Sequence, residues 1–300
     1  MSKLVVIDGN NMAFRVYWVH RRLAHKGTPT GLIYGFFQSL ITLKKKYPDH
    51  LFVVVWDAPG KNRRHHETQQ AVTDGIVPSA YKANRKKDER HAEIYEAIND
   101  QLDVLEDGLK KSRILQVSLV GYEGDDVVYS YAMQNSEHGG ETVVVSADSD
   151  FYQVLKDDSV KLFDPMKKEM WTRERFVVEF GFNPEHWVDV RALQGKPADN
   201  VFGAVDWGKV TSRKYVQQYG DVEAIVDAIK AKSKPTKREQ SLLDSLPRVW
   251  LAKSIKQMDR VPSAQLPKTR ICHATNEAEL RQYFLDFGFA SLLHDTRRLV

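Results

Sequence analysis

The sequence predicts an α/β protein, a mainly parallel sheet flanked by helices, with a helical region on its C-terminal side. Three observations carry that prediction. Residues 4–7 and 51–56 are unbroken apolar runs rich in valine, which is how strands read when a parallel sheet is covered on both faces. Following each in turn, residues 31–46 and 93–109 place apolar side chains at helical spacing, the second as Ile94, Ile98, Leu102 and Leu105, a single stripe at steps of three and four. Strands and helices therefore alternate, as in a doubly wound fold.

In order along the chain, residues 4–7 form a strand ending in Asp8-Gly9-Asn10-Asn11. Residues 12–22 are mixed and give no clear element, and 31–46 form a helix. Residues 51–56 are the second strand, ending in Asp57. From 61 to 113 the character changes. Lys61, Arg63, Arg64, His65 and His66 open a polar stretch, and five of the residues 81–90 are basic. Residues 114–120 are a third strand, running into Gly121-Tyr-Glu123-Gly-Asp125-Asp126, with a helix over 127–133. Residues 141–145 form the fourth strand, ending in Asp148 and Asp150; 151–155 read as helical and 160–163 as a weaker strand. Beyond Phe176 helices dominate: 195–203 is a loop, 208–216 a helix closed by Gly220, 222–229 another helix, and 230–239 a mobile linker. The division expected is an α/β core over 1–175 and a helical region over 176–300.

Composition narrows the function. The 300 residues carry a net charge of +4 and a pI near 8.9, mildly basic and compatible with a polyanionic partner. The single cysteine, Cys272, excludes an internal disulfide framework and a cysteine-based zinc site; it reads as core filler in a reducing compartment. No apolar run suits a signal peptide or a membrane span, so a cytoplasmic protein is expected.

The chemistry lies at the strand ends. Asp8, Asp57, Glu123, Asp125, Asp126, Asp148 and Asp150 all follow predicted strands, and ligands of open α/β sheets bind outside the carboxyl ends of the strands. Glu123, Asp125 and Asp126 fall within four positions, so they repel one another unless a cation sits among them. An all-oxygen, carboxylate-rich site suits Mg2+ or Mn2+. Such a site could hydrolyse small phosphate esters, process nucleic acid or hold structural calcium. Seven acids exceed what a structural ion needs, and the basic run at 82–90 argues for a polyanionic substrate. Two ions roughly 3.5–4 Å apart are the usual arrangement for phosphodiester cleavage.

At this point six motifs, in order, resemble those of the 5′-nuclease family, the stand-alone phage flap endonucleases and the 5′–3′ exonuclease domain of DNA polymerase I. They are Val5-Val-Ile-Asp-Gly-Asn-Asn11, Val54-Val-Trp-Asp57, Tyr81-Lys-Ala-Asn-Arg85, Gly121-Tyr-Glu-Gly-Asp-Asp126, Ser146-Ala-Asp-Ser-Asp-Phe151 and Leu193-Gln-Gly-Lys-Pro-Ala-Asp-Asn-Val-Phe-Gly203. They span about two-thirds of the chain. The resemblance implies a PIN-like nuclease fold with a helical arch over about 61–112 and a helix–three-turn–helix over 203–220. It implies a metal-dependent 5′–3′ exonuclease or flap endonuclease acting on DNA 5′ ends, or on RNA–DNA hybrid, as a monomer in replication and primer removal.

It also implies roles. Asp8, Asp57, Glu123, Asp125, Asp126 and Asp148 would form or support a first ion site; Asp150 and Asp199 would belong to a second, with Asp148 between. Lys82 and Arg85 would sit beside the scissile phosphate. Tyr81 would stack on a base, or else be a partly buried structural ring. Arg64 would contact phosphate, with Arg63 competing for that alignment. Gly203, Gly208, Lys209, Arg213 and Lys214 would grip duplex backbone. Two positions depart from the pattern. Lys196 stands where an acidic ligand of the second ion is expected, and an ammonium cannot ligate a cation; it would replace part of the missing charge or swing into solvent. Asp206 stands where the hairpin's first glycine is expected, which bears on a K+ ion held there. The alternatives are a branched-DNA-binding homologue with weakened catalysis and a PIN-like ribonuclease.

Overall fold

The computed structural model describes residues 2–83, 89–268 and 276–300, without the side chains of 89–92. Arg85, most of the basic run at 82–90, and Cys272 lie outside these residues. The described strands build a six-stranded sheet from β1 (Lys3–Asp8), β4 (Leu51–Val55), β5 (Ile114–Val117), β6 (Glu141–Val145), β7 (Val160–Asp164) and β8 (Glu169–Trp171), in the order β5-β4-β1-β6-β7-β8. The first five are parallel and β8 returns antiparallel to β7. A small hairpin of β2 (Ala24–His25) and β3 (Thr28–Pro29) lies apart.

The continuous apolar runs have the predicted cause. Val5, Val6, Ile7, Val53 and Val54 are sealed on both faces of the sheet. Their alternate side chains feed two separate cores. Val5 and Ile7 pack with Phe36 and Phe37 of helix α2 (Gly31–Lys46), whereas Leu4 and Val6 pack with Val127 and Val128 of helix α5 (Gly124–Glu137). The chain leaves β1 toward β4 and β5, then crosses back to β6 and β7. The switch point therefore falls between β1 and β6, where such sheets open a crevice.

Two helices went unpredicted because neither carries a sustained apolar stripe: the first buries few residues and the second buries mostly polar ones. Helix α1 (Gly9–His20) buries only Gly9, Met12 and Ala13 and is capped by Asp8, whose carboxylate accepts from the Asn11 amide at 3.0 Å. Gly9 admits no side chain there, since a Cβ would stand 2.6 Å from the Trp56 ring. Helix α3 (Arg63–Thr73) buries Arg64, Thr68 and Ala71. That is a proper helical stripe, but two of its three residues are polar.

The helical region begins with α6 (Arg173–Phe180) and α7 (Trp187–Gln194), continues through α8 (Lys209–Tyr219) and α9 (Val222–Lys230), and closes with α10 (Lys237–Asp244) and α11 (Leu246–Lys256). Residues 230–239 are not a mobile linker. Thr236 and Glu239 form a reciprocal capping box that starts α10, and Lys232 pairs with Glu239. Helix α4 (Glu89–Lys110) and the C-terminal helix α12 (Glu277–Asp286) return to the sheet, with Leu105, Leu109, Tyr283 and Phe284 in the same core as α2. No described helix is long and apolar enough to cross a membrane.

Candidate active site

The acids reach one edge of the sheet by local rules. Asp8 ends β1 and caps α1; its second oxygen accepts from the Ser146 hydroxyl at 2.8 Å, tying β1 to the end of β6 across the switch point. The same hydroxyl accepts from the Asp148 amide at 3.1 Å. Asp57 follows β4, and its amide donates to the Asn10 side chain at 2.7 Å. Its carboxylate accepts from the Gly124 amide at 2.7 Å, which sets the start of α5 against the end of β4. Asp125 lies in the first turn of α5, where a helix N-terminus favours negative charge.

These four carboxylates feel one another. Burial pushes Asp8 up to about 7, and the charges of Asp57 and Asp148 add to it. Burial also raises Asp125 well above the carboxylate range, with Asp8, Asp148, Glu123 and Asp57 adding repulsion. Among the described residues no cationic side chain pairs with Asp8, Asp57 or Asp125. Packing bare like charges together is unfavourable unless a cation joins them. The donor set is all oxygen and so fits Mg2+ or Mn2+. Among the described residues no group of three acid, histidine or cysteine side chains is already arranged to hold an ion.

The remaining acids are neutralised from within the protein. Asp126 takes two bonds of 2.7 Å from the Arg64 guanidinium, plus the Asp259 amide at 2.8 Å. Glu123 accepts from Lys82 at 2.9 Å, Arg64 at 3.1 Å and the Tyr81 hydroxyl at 3.2 Å. Burial opposes the Glu123 charge, but Lys82 and Arg64 pull its pKa down to about 2. Asp150 meets Arg191 at 2.7 Å and Lys256 at 3.0 Å. Burial works against it too, and Lys256, Arg191 and Lys196 still hold it well below the usual range. Asp199 meets Lys196 at 3.0 Å and Lys256 at 3.5 Å.

Three expectations need correction. Arg64 is no surface phosphate contact: it is 4% exposed, its fork is spent on Asp126 and Glu123, and its Nε donates to the Ile255 carbonyl. Tyr81 is no stacking platform: its ring is 6% exposed, edge-on to His65, and its hydroxyl is tied to Glu123. Arg213 does not project from α8: its guanidinium lies 4.5 Å over the Phe180 ring, and its Nε is buried without a partner among the described residues.

Lys82 is half-buried, with positive φ, and its amide donates to the Asp199 carbonyl at 2.9 Å. Gly203 serves the loop rather than the surface, because a Cβ there would stand 2.5 Å from the Gly195 amide. Gly208, Lys209 and Lys214 are exposed at α8, with Gly208 at its N-cap. Asp206 adopts the left-handed conformation itself, at φ 62°, which aspartate tolerates better than most residues.

Sequence reasoning missed Ser146, Arg191 and Lys256. Arg191 had a signal: it is a charge inside a helix whose other residues are largely buried, and a charge in that setting needs a partner.

Models of two domains match the chain: the 5′-3′ exonuclease N-terminal resolvase-like domain over residues 3–181 and the 5′-3′ exonuclease C-terminal SAM fold over 182–276. A 5′-3′ exonuclease of Aquifex aeolicus is 33% identical over 227 residues, 75% of this chain and 73% of its own length. The thermostable DNA polymerase I of Thermus aquaticus is 29% identical over 98% of this chain, which spans only 33% of that polymerase. Among solved structures, the bacteriophage T5 5′-exonuclease with bound zinc superposes with a TM-score of 0.68 at 19% identity, covering 98% of this chain and 97% of its own. The catalytic core of Rad2 with a DNA substrate superposes with a TM-score of 0.60 at 14% identity, covering 98% and 91%. At those identities the two structures speak for the fold.

Proposed function

Because the chain belongs to the 5′–3′ exonuclease family of nucleases, which includes the flap endonucleases, we propose that it cuts DNA phosphodiesters near 5′ ends and flaps, with Mg2+ or Mn2+ held by Asp8, Asp57, Asp125 and Asp148. The observation that supports this most is the uncompensated charge of Asp8, Asp57 and Asp125 beside acids that all have protein counter-ions. A bound divalent cation would supply Lewis-acid polarisation of the scissile phosphate and a more acidic water.

The chain's own groups then have distinct tasks. Asp8 and Asp148 are fixed relative to each other by Ser146, and Asp57 is fixed to α5 by the Gly124 amide. Lys82, tethered to Glu123, would steady charge on a phosphoryl oxygen. The exposed N-terminus of α8, with Lys209 and Lys214, offers amides and cations to duplex phosphates. The left-handed Asp206 keeps the hairpin's turn despite the lost glycine, so K+ on its carbonyls remains part of the proposal. Action on RNA–DNA hybrid and as a single chain completes it.

A labelled 5′-flap duplex with Mg2+ tests the reading. Release of 5′-phosphorylated product is expected, with Lys82→Ala slowing turnover about 10²-fold while binding is largely kept. Absence of cleavage at every Mg2+ and Mn2+ concentration overturns it. Preferred cutting of single-stranded RNA would favour the ribonuclease alternative.

A further inference from the structure

Lys196 does not swing into solvent. Its Nζ lies 3.0 Å from Asp199, 3.2 Å from Asp148 and 3.9 Å from Asp150. Behind it, the Lys256 Nζ lies 3.0 Å from Asp150 and 3.5 Å from Asp199, on the same Oδ2 atoms that Lys196 faces. On the other side, the Arg191 Nε meets the Asp150 Oδ1 at 2.7 Å. Three cations face three carboxylates, so the cluster is neutral without any ion.

The backbone fixes this arrangement. Lys196 and Val201 exchange amide bonds of 2.8 and 3.2 Å, and the Asp199 amide returns to the Lys196 carbonyl at 2.9 Å. Gly195, at φ 71°, packs its backbone directly on Gly203. Lys256 is 6% exposed at the end of α11, and its carbonyl accepts from Gln153 at 2.9 Å. Arg191 is buried in the middle of α7. None of the three can leave at small cost, because departure of any one leaves three carboxylates facing two cations in a largely buried cluster. A divalent ion entering among Asp148, Asp150 and Asp199 needs oxygens at about 2.0–2.1 Å. Two of those oxygens are already bridged by both ammonium groups, which would also repel it.

Resting on the nuclease reading above, we propose that this protein works with a single divalent cation, and that Lys196, backed by Lys256 and Arg191, permanently holds the position of the second. The Lys196 side chain is 28% exposed, and its ammonium lies next to the equally exposed Asp148 carboxylate that borders the ion site. It delivers one fixed positive charge to a phosphate there. Asp150 and Asp199 are then anchors for Lys196, not ligands.

Counting ions tests this without relying on turnover. Metal-free wild-type protein is titrated with Mn2+ while free Mn2+ is followed by electron paramagnetic resonance. One ion per chain is expected, and Lys196→Asp should bind a second. Two ions per wild-type chain overturn this inference and leave the nuclease reading standing; no ion at all overturns both. Lys196→Met removes the charge and adds no ligand. It should still bind one ion, with flap cleavage reduced about 100-fold. An undiminished rate in Lys196→Met, in protein whose ion count is unchanged, shows that the ammonium does not stand in for a second ion.

Discussion

The acidic edge of the sheet is two regions with opposite electrostatics. Asp8, Asp57 and Asp125 sit together without a described counter-ion, and burial raises Asp8 and Asp125. Glu123, Asp126, Asp150 and Asp199 sit beside them, each paired with lysine or arginine. Asp148 stands on the border, facing both. The residue types are alike and so is their place in the fold. What differs is the element packed above them: α3, α7, the 195–203 loop and α11 each bring a cation to one region, and none brings one to the other. A carboxylate's neighbours, not its position at a strand end, decide whether it is a ligand or an anchor.

The largest expected effect comes from removing charge in the uncompensated region. Asp8→Asn retains a good helix cap, with its amide nitrogen now donating to the Ser146 hydroxyl where an oxygen accepted from it, yet loses the anion. Flap cleavage should fall roughly 10³-fold. In EDTA the same variant should melt at a higher temperature than wild type, because one member of a self-repelling cluster is gone. The two measurements together, an activity assay and calorimetry without metal, carry the contrast. A lower melting temperature in EDTA would mean that Asp8 is held by its hydrogen bonds more than it is opposed by its neighbours.

The compensated region should answer with the opposite sign. Arg64→Met leaves Asp126 and Glu123 buried without their guanidinium. Breaking a buried pair from one side costs about 3–5 kcal/mol, read from urea unfolding at neutral pH. Arg64→Met combined with Asp126→Leu should recover much of that loss, since the pair as a whole contributes little net stability. If the double variant is no better than the single one, the carbonyl contacts of Arg64, not its ion pairs, hold α3 and α11 together.

Much of this was legible in the sequence, and what was not has a physical reason. β1 and β4 declared themselves because a strand covered on both faces reads as a nearly continuous apolar run, and β6 by its three valines. Their acidic ends followed from the open-sheet rule. Helix α3 stayed hidden because its buried stripe is Arg64, Thr68 and Ala71, and an arginine counts as surface until its partners, about 60 residues away, are known. The start of α10 was legible but misread: Thr236-Lys-Arg-Glu239 is a capping-box sequence inside a stretch whose composition suggests a linker. Lys196 was visible as a departure, but its inward aim depends on the Gly195–Gly203 contact and on Lys256, which only folding brings close. Tyr81 was recognised by its motif, yet whether its ring faces DNA or core depends on Glu123 and Thr68.

The smallest effect uses a compensated acid with no part in the proposed chemistry. Glu239 is buried, and it accepts from Lys232 and from the amide and hydroxyl of Thr236. Burial opposes its charge, but those bonds lower its pKa from 4.5 to about 2. A carboxyl held below its unfolded value stabilises the folded state above that value, and the contribution fades as pH falls from 4.5 toward 2. Glu239→Gln should therefore cost about 1 kcal/mol at pH 7, the scale of one hydrogen bond's net contribution. The gap between wild type and variant should narrow steadily in urea unfolding at pH 4 and pH 3. Should the glutamine variant instead be the more stable at pH 7, as Asp8→Asn is expected to be in EDTA, a nearby cation would not be what separates the two kinds of acid in this protein.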